Sequence, residues 1–438
     1  MSLNISVISE TASNEKRVAA SPDTVKKYID MGCTVYIQSG AGTHASFTDE
    51  MFKEVGAKIV KTANDAAGKA DILLCVQPPA DAVLDKLKKG ALLIGILAPY
   101  DNAAAISKWA KAGITSMAME LIPRITRAQA MDVLSSQANL AGYISVLDAA
   151  NEFNRAFPMM MTAAGTVPPA RVFVMGAGVA GLQAIATAKR LGAIVSATDV
   201  RPAAKEQVES LGGTFVAVED EEFKQAETAG GYAKEMSKEY QKKQQELVEK
   251  TLEKQDIVIT TALIPGRPAP KLISEKMIKS MKPGSVIVDL AVERGGNCDA
   301  SKLGKVVEKD GIKIVGHENV PSRLAASSAA LYAKNLQNLL GLLIDKEKKA
   351  LAIDWEDEIV TGITLTKDGG IVHEQFAGSA APAKKAAAAP AKKPAAKKAT
   401  TAKKTTAKKK TAAKAPAKKA SSTGSKTKAK STTKSASK

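Results

Sequence analysis

Residues 171–201 read RVFVMGAGVAGLQAIATAKRLGAIVSATDVR, and the order of residue types in this stretch decides the fold. An apolar run, Val172–Met175, leads into Gly176-Ala177-Gly178-Val179-Ala180-Gly181. A helical stretch follows to about Leu191, and a second apolar run, Ala193–Ala197, is closed by Asp199. Strand, glycine turn, helix, strand and acid within one unit is the full context of a dinucleotide-binding site. Gly176 permits the tight turn off the strand. Gly178 lets the backbone approach a pyrophosphate, and Gly181 lets the helix pack close to the strand. Val179 opens the helix, whose free N–H groups suit an anion. Asp199 stands 18 residues after Gly181. A carboxylate there accepts hydrogen bonds from both ribose hydroxyls and repels a 2′-phosphate, so NAD(H) is favoured over NADP(H). Val200 and Arg201 complete the turn after it, and an arginine in that place also has the charge to admit a 2′-phosphate. Taken without its flanking strands, the glycine pattern would fit an ordinary Gly-rich turn equally well.

Working outward, the same alternation continues in both directions. Towards the N-terminus, Thr34–Ile37, Ile72–Val76 and Leu92–Leu97 read as strands, with helices over Thr24–Met31 and Asp49–Val55 between them. Ser21-Pro22-Asp23-Thr24 has the composition of a capped helix start. Towards the C-terminus, Ile257–Thr261, Ser285–Leu290 and Ile312–Gly316 are strand-like. Two long helical segments, about 128–154 and 321–346, join the halves. The fold class is therefore α/β: two Rossmann-like parallel-sheet domains joined by long helices, followed by a disordered Lys/Ala-rich tail. The expected layout is a discontinuous first domain over 1–134 plus 320–378, a nucleotide-binding domain over 135–319, and the tail over 379–438. Within the second domain, the polar stretch 220–255 reads either as a mobile lid or as a solvated helical hairpin.

Charge is concentrated at one end. The net charge is +18, but 19 of the 63 basic residues lie in 379–438, where there is no Asp or Glu. The remaining 44 basic residues face 45 acidic ones, so the body is near neutral and the tail carries the excess. The tail also lacks aromatic and branched aliphatic residues, so it has nothing with which to offset ordering entropy. Cys33, Cys75 and Cys298 form no CxxC pair, and three histidines have no metal-ligand spacing; no metal site is expected. The start of the chain has no basic region followed by an apolar one, and its most apolar runs are too short to span a bilayer. A cytoplasmic chain is expected, with any membrane role coming through a partner.

Several motifs together resemble the alpha-subunit family of proton-translocating NAD(P) transhydrogenases, over about 1–375. They are Pro123–Asp132 (PRITRAQAMD) with Leu134–Gln137, Phe157–Pro169 (FPMMMTAAGTVPP), the glycine fingerprint, Ala226–Met236 (AETAGGYAKEM) and Ala262–Pro268 (ALIPGRP). The resemblance implies that Arg124, Gln129 and Asp132, with Ser135 beside them, surround the nicotinamide and position it for hydride transfer, Asp132 orienting Arg124 or Gln129. It implies that Tyr232 closes over the nucleotide with Gly230 and Gly231 as hinges, that Leu263 touches the adenosine or ribose, and that Gln244 contributes at the same site. It further implies NAD(H) on this chain, NADP(H) on a partner subunit, a homodimer, and membrane-spanning subunits that make the chain peripheral at the inner membrane.

Alanine dehydrogenases are similar in architecture and must be separated. Their substrate lysine corresponds here to Gln77, in Cys75-Val76-Gln77-Pro78-Pro79, and their substrate histidine to the Leu97-Ala98-Pro99 segment. Arg17 does match the family's substrate-carboxylate arginine. Losing the lysine and the histidine removes the groups amino-acid oxidation needs for proton transfer. Two further readings stay open: an amino-acid oxidoreductase of the alanine dehydrogenase type, and a nucleic-acid-associated protein built on a dinucleotide-binding scaffold. The tail fits either an anionic lipid surface or nucleic acid.

Overall fold

A computed structural model of the chain describes residues 2–225 and 236–377. Two open sheets organise them. The first places its strands in the order Gly370–Ile371, Thr364–Lys367, Thr115–Ala118, Leu92–Gly95, Ile72–Leu74, Asn4–Val7, Thr34–Gln38, Lys58–Val60. Neighbours are parallel except at Thr364–Lys367, which runs antiparallel to both of its neighbours. The second sheet runs Thr214–Phe215, Ile194–Thr198, Arg171–Met175, Ile257–Thr260, Val286–Asp289, Ile312–Gly316, Lys305–Lys309, with only the last strand antiparallel. Every residue of Leu92–Gly95, Ile257–Thr260 and Val286–Asp289 is buried. Strands covered by helices on both faces read as continuous apolar runs rather than alternating ones, which is why they were legible in the sequence.

In each sheet the strand order reverses once. In the first, the reversal lies between Asn4–Val7 and Ile72–Leu74; in the second, between Arg171–Met175 and Ile257–Thr260. Ligands of doubly wound sheets bind in the crevice outside the carboxyl ends of the strands at such a point. The fingerprint turn leaves the strand at the second reversal.

Two long helices link the halves. Val133–Glu152 packs on the fingerprint helix, Val179–Arg190, and a Cβ at Gly142 would lie 2.0 Å from the Ala180 carbonyl oxygen. Only glycine allows that approach. Ala325–Leu343 follows the last parallel strand of the second sheet yet buries Tyr332, Leu336, Leu339 and Leu340 in the core of the first, against Ile5, Val35 and Ile72. Arg323, just ahead of it, donates from Nη2 to Asp148 Oδ1 at 2.8 Å and ties the two connecting segments together.

Local details refine the sequence reading. Ser21 caps the Pro22–Asp30 helix by accepting from the Thr24 amide, an interaction that stabilises a helix by about 1 kcal/mol. The strands expected over 72–76 and 92–97 end at Leu74 and Gly95; one backbone bond further on, the amides of Val76 and Leu97 turn to the carboxyl groups of Glu10 and Glu120. Asn4–Val7 and Thr115–Ala118 were not legible as strands; their Ser6 and Ser116 hydroxyls are buried and bonded to Ala66 O and Thr366 Oγ1. Met160–Thr162 and Gly165–Val167 form a two-stranded hairpin, and Met161 is 80% exposed on it. In the polar stretch, Lys238–Leu252 is a helix that buries Tyr240, Val248 and Leu252 on one face. Gly230, Gly231 and Tyr232, and the tail from residue 378, lie outside the described residues. Among the described residues no helix is long and apolar enough to cross a membrane, and no cluster could hold a metal ion. The three cysteines are buried and unpaired with one another.

Candidate dinucleotide site

The glycine turn is built as its spacing requires. Gly176 has φ +103°, and a Cβ there would meet Thr261 Oγ1 at 2.5 Å. Thr261, at the end of the neighbouring strand, donates its hydroxyl to Gly176 O at 3.0 Å, so one bond spans the strand reversal. A Cβ at Gly181 would lie 1.8 Å from Gly176 O. Gly178 differs: its Cβ would meet nothing within 4 Å, and no side chain caps the helix that starts at Val179. Space and helix-terminal N–H groups coincide at Gly178, the arrangement an anion requires. The residues present therefore fit a dinucleotide.

Asp199 closes the far side of the crevice. Its Oδ2 accepts from the Ala177 amide at 2.7 Å and its Oδ1 from the Arg201 amide at 2.9 Å. The Arg201 guanidinium adds Nε to Oδ1 at 2.9 Å and Nη2 to Oδ2 at 3.0 Å. The sequence leads one to expect a ribose on this carboxylate; in the structure the Arg201 guanidinium lies on it. Val179 and Val200 are exposed at the rim. Gln244 is engaged at both ends of its amide by neighbouring elements of the same domain. Its Oε1 accepts from the Val218 amide at 2.9 Å and its Nε2 donates to Thr198 Oγ1 at 3.1 Å, which braces the strand end just before Asp199.

The Thr261–Pro265 loop is held by a residue that sequence reasoning missed. Asn297 is fully buried; its Oδ1 accepts from the Ala262 amide at 3.0 Å and its Nδ2 donates to Ala262 O at 2.9 Å. Clamped there, the loop presents Leu263 to solvent, 53% exposed, with Ile264 beside it. Nothing local to residue 297 signals this role, because its partner is 35 positions away.

The Arg124–Ser135 segment forms the start of the first connecting helix. Asp132 is the N-cap: its Oδ1 accepts from the Ser135 amide at 2.9 Å and its Oδ2 from Ser135 Oγ at 2.5 Å. The expectation that Asp132 orients Arg124 or Gln129 is replaced by this pairing with Ser135. Arg124 and Gln129 are exposed. Gly142, ten residues beyond Asp132, fixes the crossing of this helix over the fingerprint helix about 15 Å along its axis.

Residues 6–141 match the alanine dehydrogenase/PNT N-terminal domain, and residues 145–374 the C-terminal domain of the same family. Over 384 residues the chain is 57% identical to an NAD(P) transhydrogenase subunit alpha polypeptide of Rhodospirillum rubrum, covering 86% of this chain and all of that one. The chain belongs to the NAD(P) transhydrogenase alpha-subunit family. A crystal structure of transhydrogenase from Sinorhizobium meliloti superposes with a TM-score of 0.77 at 55% identity, over 84% of this chain and all of that one. Alanine dehydrogenase of Mycobacterium tuberculosis is more distant, 32% identical over 303 residues, or 68% of this chain and 75% of that one.

The first-sheet crevice is lined by charged side chains that bond to one another and to its own amides. Arg17 is buried and donates to both Glu15 oxygens, Nε to Oε1 at 2.8 Å and Nη2 to Oε2 at 2.6 Å, and through Nη1 to Gln137 Oε1 at 2.9 Å. Burial alone would raise the Glu15 pKa, but the Arg17 bonds and charge outweigh it and hold the carboxyl at about 2. Glu10 accepts from the amides of Val76 at 2.6 Å and Gln77 at 3.0 Å. Its burial outweighs these bonds and pushes its pKa up to about 8. Gln77 Nε2 stands 3.4 Å from Glu15 Oε2, and Ala98 adopts φ +46° with its amide on Glu120 Oε1. Neither Gln77 nor Ala98 can carry a proton to or from an amino acid.

Proposed function

We propose that this chain is the NAD(H)-binding subunit of a proton-translocating NAD(P) transhydrogenase, passing hydride from NADH to NADP+ held on a partner subunit. The single observation that carries the reading is the open, uncapped helix start at Gly178, beside Asp199 at the end of the adjacent strand, whose carboxylate accepts from the Ala177 amide. Bound there, NADH would supply the hydride from its own ring. Gly176, Gly178, Val179 and Gly181 receive the pyrophosphate, Asp199 and Val200 the ribose, with Arg201 beside them on the Asp199 carboxylate, and Leu263 the adenosine side. Gln244 acts by bracing Thr198, with Gly231 and Tyr232 assigned to the lid.

Hydride transfer asks for position rather than proton donors. Ser135 gives its hydroxyl proton to Asp132, so what it offers a carboxamide NH2 is an acceptor lone pair. Gln129 can hold the carboxamide through either end of its amide, and Arg124 supplies the positive charge near the redox centre. Proton-transfer groups for amino-acid oxidation are missing at Gln77 and Ala98, which speaks against the alanine dehydrogenase reading.

The remaining assignments extend the same reading. The first domain takes 1–134 plus 320–378 and the nucleotide domain 135–319, since the Ala325–Leu343 helix and the Thr364–Lys367 strand pack with the first sheet. Membrane-spanning and NADP(H)-binding subunits hold the chain at the inner membrane from the cytoplasmic side. A homodimer is supported by the Met159–Met161 run at the start of the hairpin, three large apolar side chains in a row that are exposed among the described residues. The 19 lysines of the tail make a polycation without aromatic stacking groups, suited to an anionic lipid surface in preference to nucleic acid.

The test mixes the purified chain with an NADP(H)-binding transhydrogenase domain and follows NADH-dependent reduction of an NADP+ analogue. Transfer supports the assignment. NADH formation from L-alanine by the chain alone would replace it with the amino-acid oxidoreductase.

A further inference from the structure

We infer that Arg201 is an internal competitor for the ribose-binding carboxylate, so that the nucleotide enters by exchanging with its guanidinium. The inference rests on the NAD(H) reading above and names what sets affinity and selectivity at that site. A carboxylate has about four lone-pair directions to offer. At Asp199 all four are in use: two by the backbone amides of Ala177 and Arg201, and two by Nε and Nη2 of Arg201. The amides belong to the turn itself and remain. Only the guanidinium fork can leave, and it makes two bonds, the number that two ribose hydroxyls would make. The fork thus stands in for the ribose.

The burial of the two partners fits an exchange. The Asp199 side chain is 6% exposed and the Arg201 side chain 29%, so the carboxylate is fixed while the arginine has a path to solvent. A site whose competent form is only fractionally populated binds with an apparent affinity reduced by that fraction. Displaced but still tethered two residues from Asp199, the guanidinium keeps a positive charge beside the ribose site. Arg201 therefore weakens NAD(H) binding and softens discrimination against a 2′-phosphate.

The experiment titrates the full chain, Arg201→Ala and Arg201→Lys with NADH, NADPH, AMP and nicotinamide mononucleotide, reading affinity by calorimetry and association rate by stopped flow. Arg201→Ala should bind NADH and AMP about two- to fivefold more tightly, the range of a partly exposed ion pair, mainly through faster association. Nicotinamide mononucleotide, which lacks the adenosine ribose, should be unaffected. The ratio of NADH to NADPH affinity should widen. Arg201→Lys keeps the charge without the fork and should fall between the two. Unchanged or weaker AMP binding by Arg201→Ala overturns the inference, as does an equal gain for nicotinamide mononucleotide. If the unaltered chain does not bind NADH at all, the cofactor reading itself fails and this inference falls with it. A thermal melt of each variant without nucleotide verifies that the comparison is between folded chains.

Discussion

The two sheets of this chain reverse their strand order in the same way, yet their crevices are filled differently. In the first, the amides of Val76 and Gln77 are taken by Glu10 and those of Leu97 and Ala98 by Glu120. Internal carboxylates sit where a doubly wound sheet would receive an anionic ligand. In the second, the helix start at Val179 has no side-chain cap and Gly178 faces open space. One crevice is satisfied from within, and the other retains its donors for something that is not part of the chain. Topology alone creates both places; the side chains that reach back into them decide which one stays available.

The contrast breaks most readily at the glycines. Gly181→Ala and Gly142→Ala must push a Cβ into a carbonyl oxygen, so each should destabilise the fold by about 2–4 kcal/mol in a urea titration. Gly178→Ala should change stability by less than about 0.5 kcal/mol, since the space is open and φ is −77°. It should nevertheless weaken NADH binding at least about tenfold, because the methyl group fills the place kept for the ligand. Equal stability losses at Gly178 and Gly181 would end the distinction between packing and binding glycines.

The filled crevice carries a pH signature. The Glu10 carboxyl titrates near 8 in the folded chain and at the ordinary 4.5 when unfolded. Between those values the folded chain retains a proton that the unfolded chain has lost, so stability falls as pH rises. The loss between pH 5 and pH 8 should be about 3 kcal/mol, and Glu10→Gln should remove that slope. A parent chain equally stable at pH 5.5 and 8.5 would show that the carboxylate is ionised at its amide pair throughout. Glu15 behaves in the opposite sense: its depressed pKa contributes stability above the ordinary carboxylate range, which is lost as pH falls towards 2.

The nicotinamide loop proposed for the open crevice sharpens the comparison further. Arg124→Ala and Gln129→Ala should slow hydride transfer to a partner-bound NADP+ by about ten- to a hundredfold, while the NADH dissociation constant moves by less than about threefold. Parallel losses in both quantities would make these residues anchors instead of positioning groups. The smallest effect is expected at the tail. Deleting 379–438 should leave NADH affinity within about twofold, since no proposed site residue lies in it, while removing salt-sensitive retention on anionic vesicles. Persistent retention by the truncated chain would move the basic surface to the folded body.

Where one contiguous unit holds all the information, the sequence was sufficient. Strand, Gly176-x-Gly178-x-x-Gly181, helix, strand and Asp199 are spaced by local geometry, so the βαβ fold and the nucleotide reading follow from 31 consecutive residues. The family was equally legible, because its motifs are long runs such as PRITRAQAMD and ALIPGRP. Period and composition likewise supplied the capped helix at Ser21 and the concentration of charge in the tail. Tertiary structure alone decided the rest. Gly142 is an unremarked helix residue until Ala180 lies against it, and Asn297 is an ordinary loop amide until it grips Ala262. Thr364–Lys367 joins a sheet whose other major strands end by residue 118, through pairing that no local periodicity encodes. Glu10 finds its amides 66 residues away, and Arg201 turns back onto Asp199 through rotamers that composition does not specify. Local backbone preference acts over a few residues and leaves its mark in the sequence. Burial and hydrogen-bond satisfaction act through space, so which polar group meets which is settled only when the chain has folded.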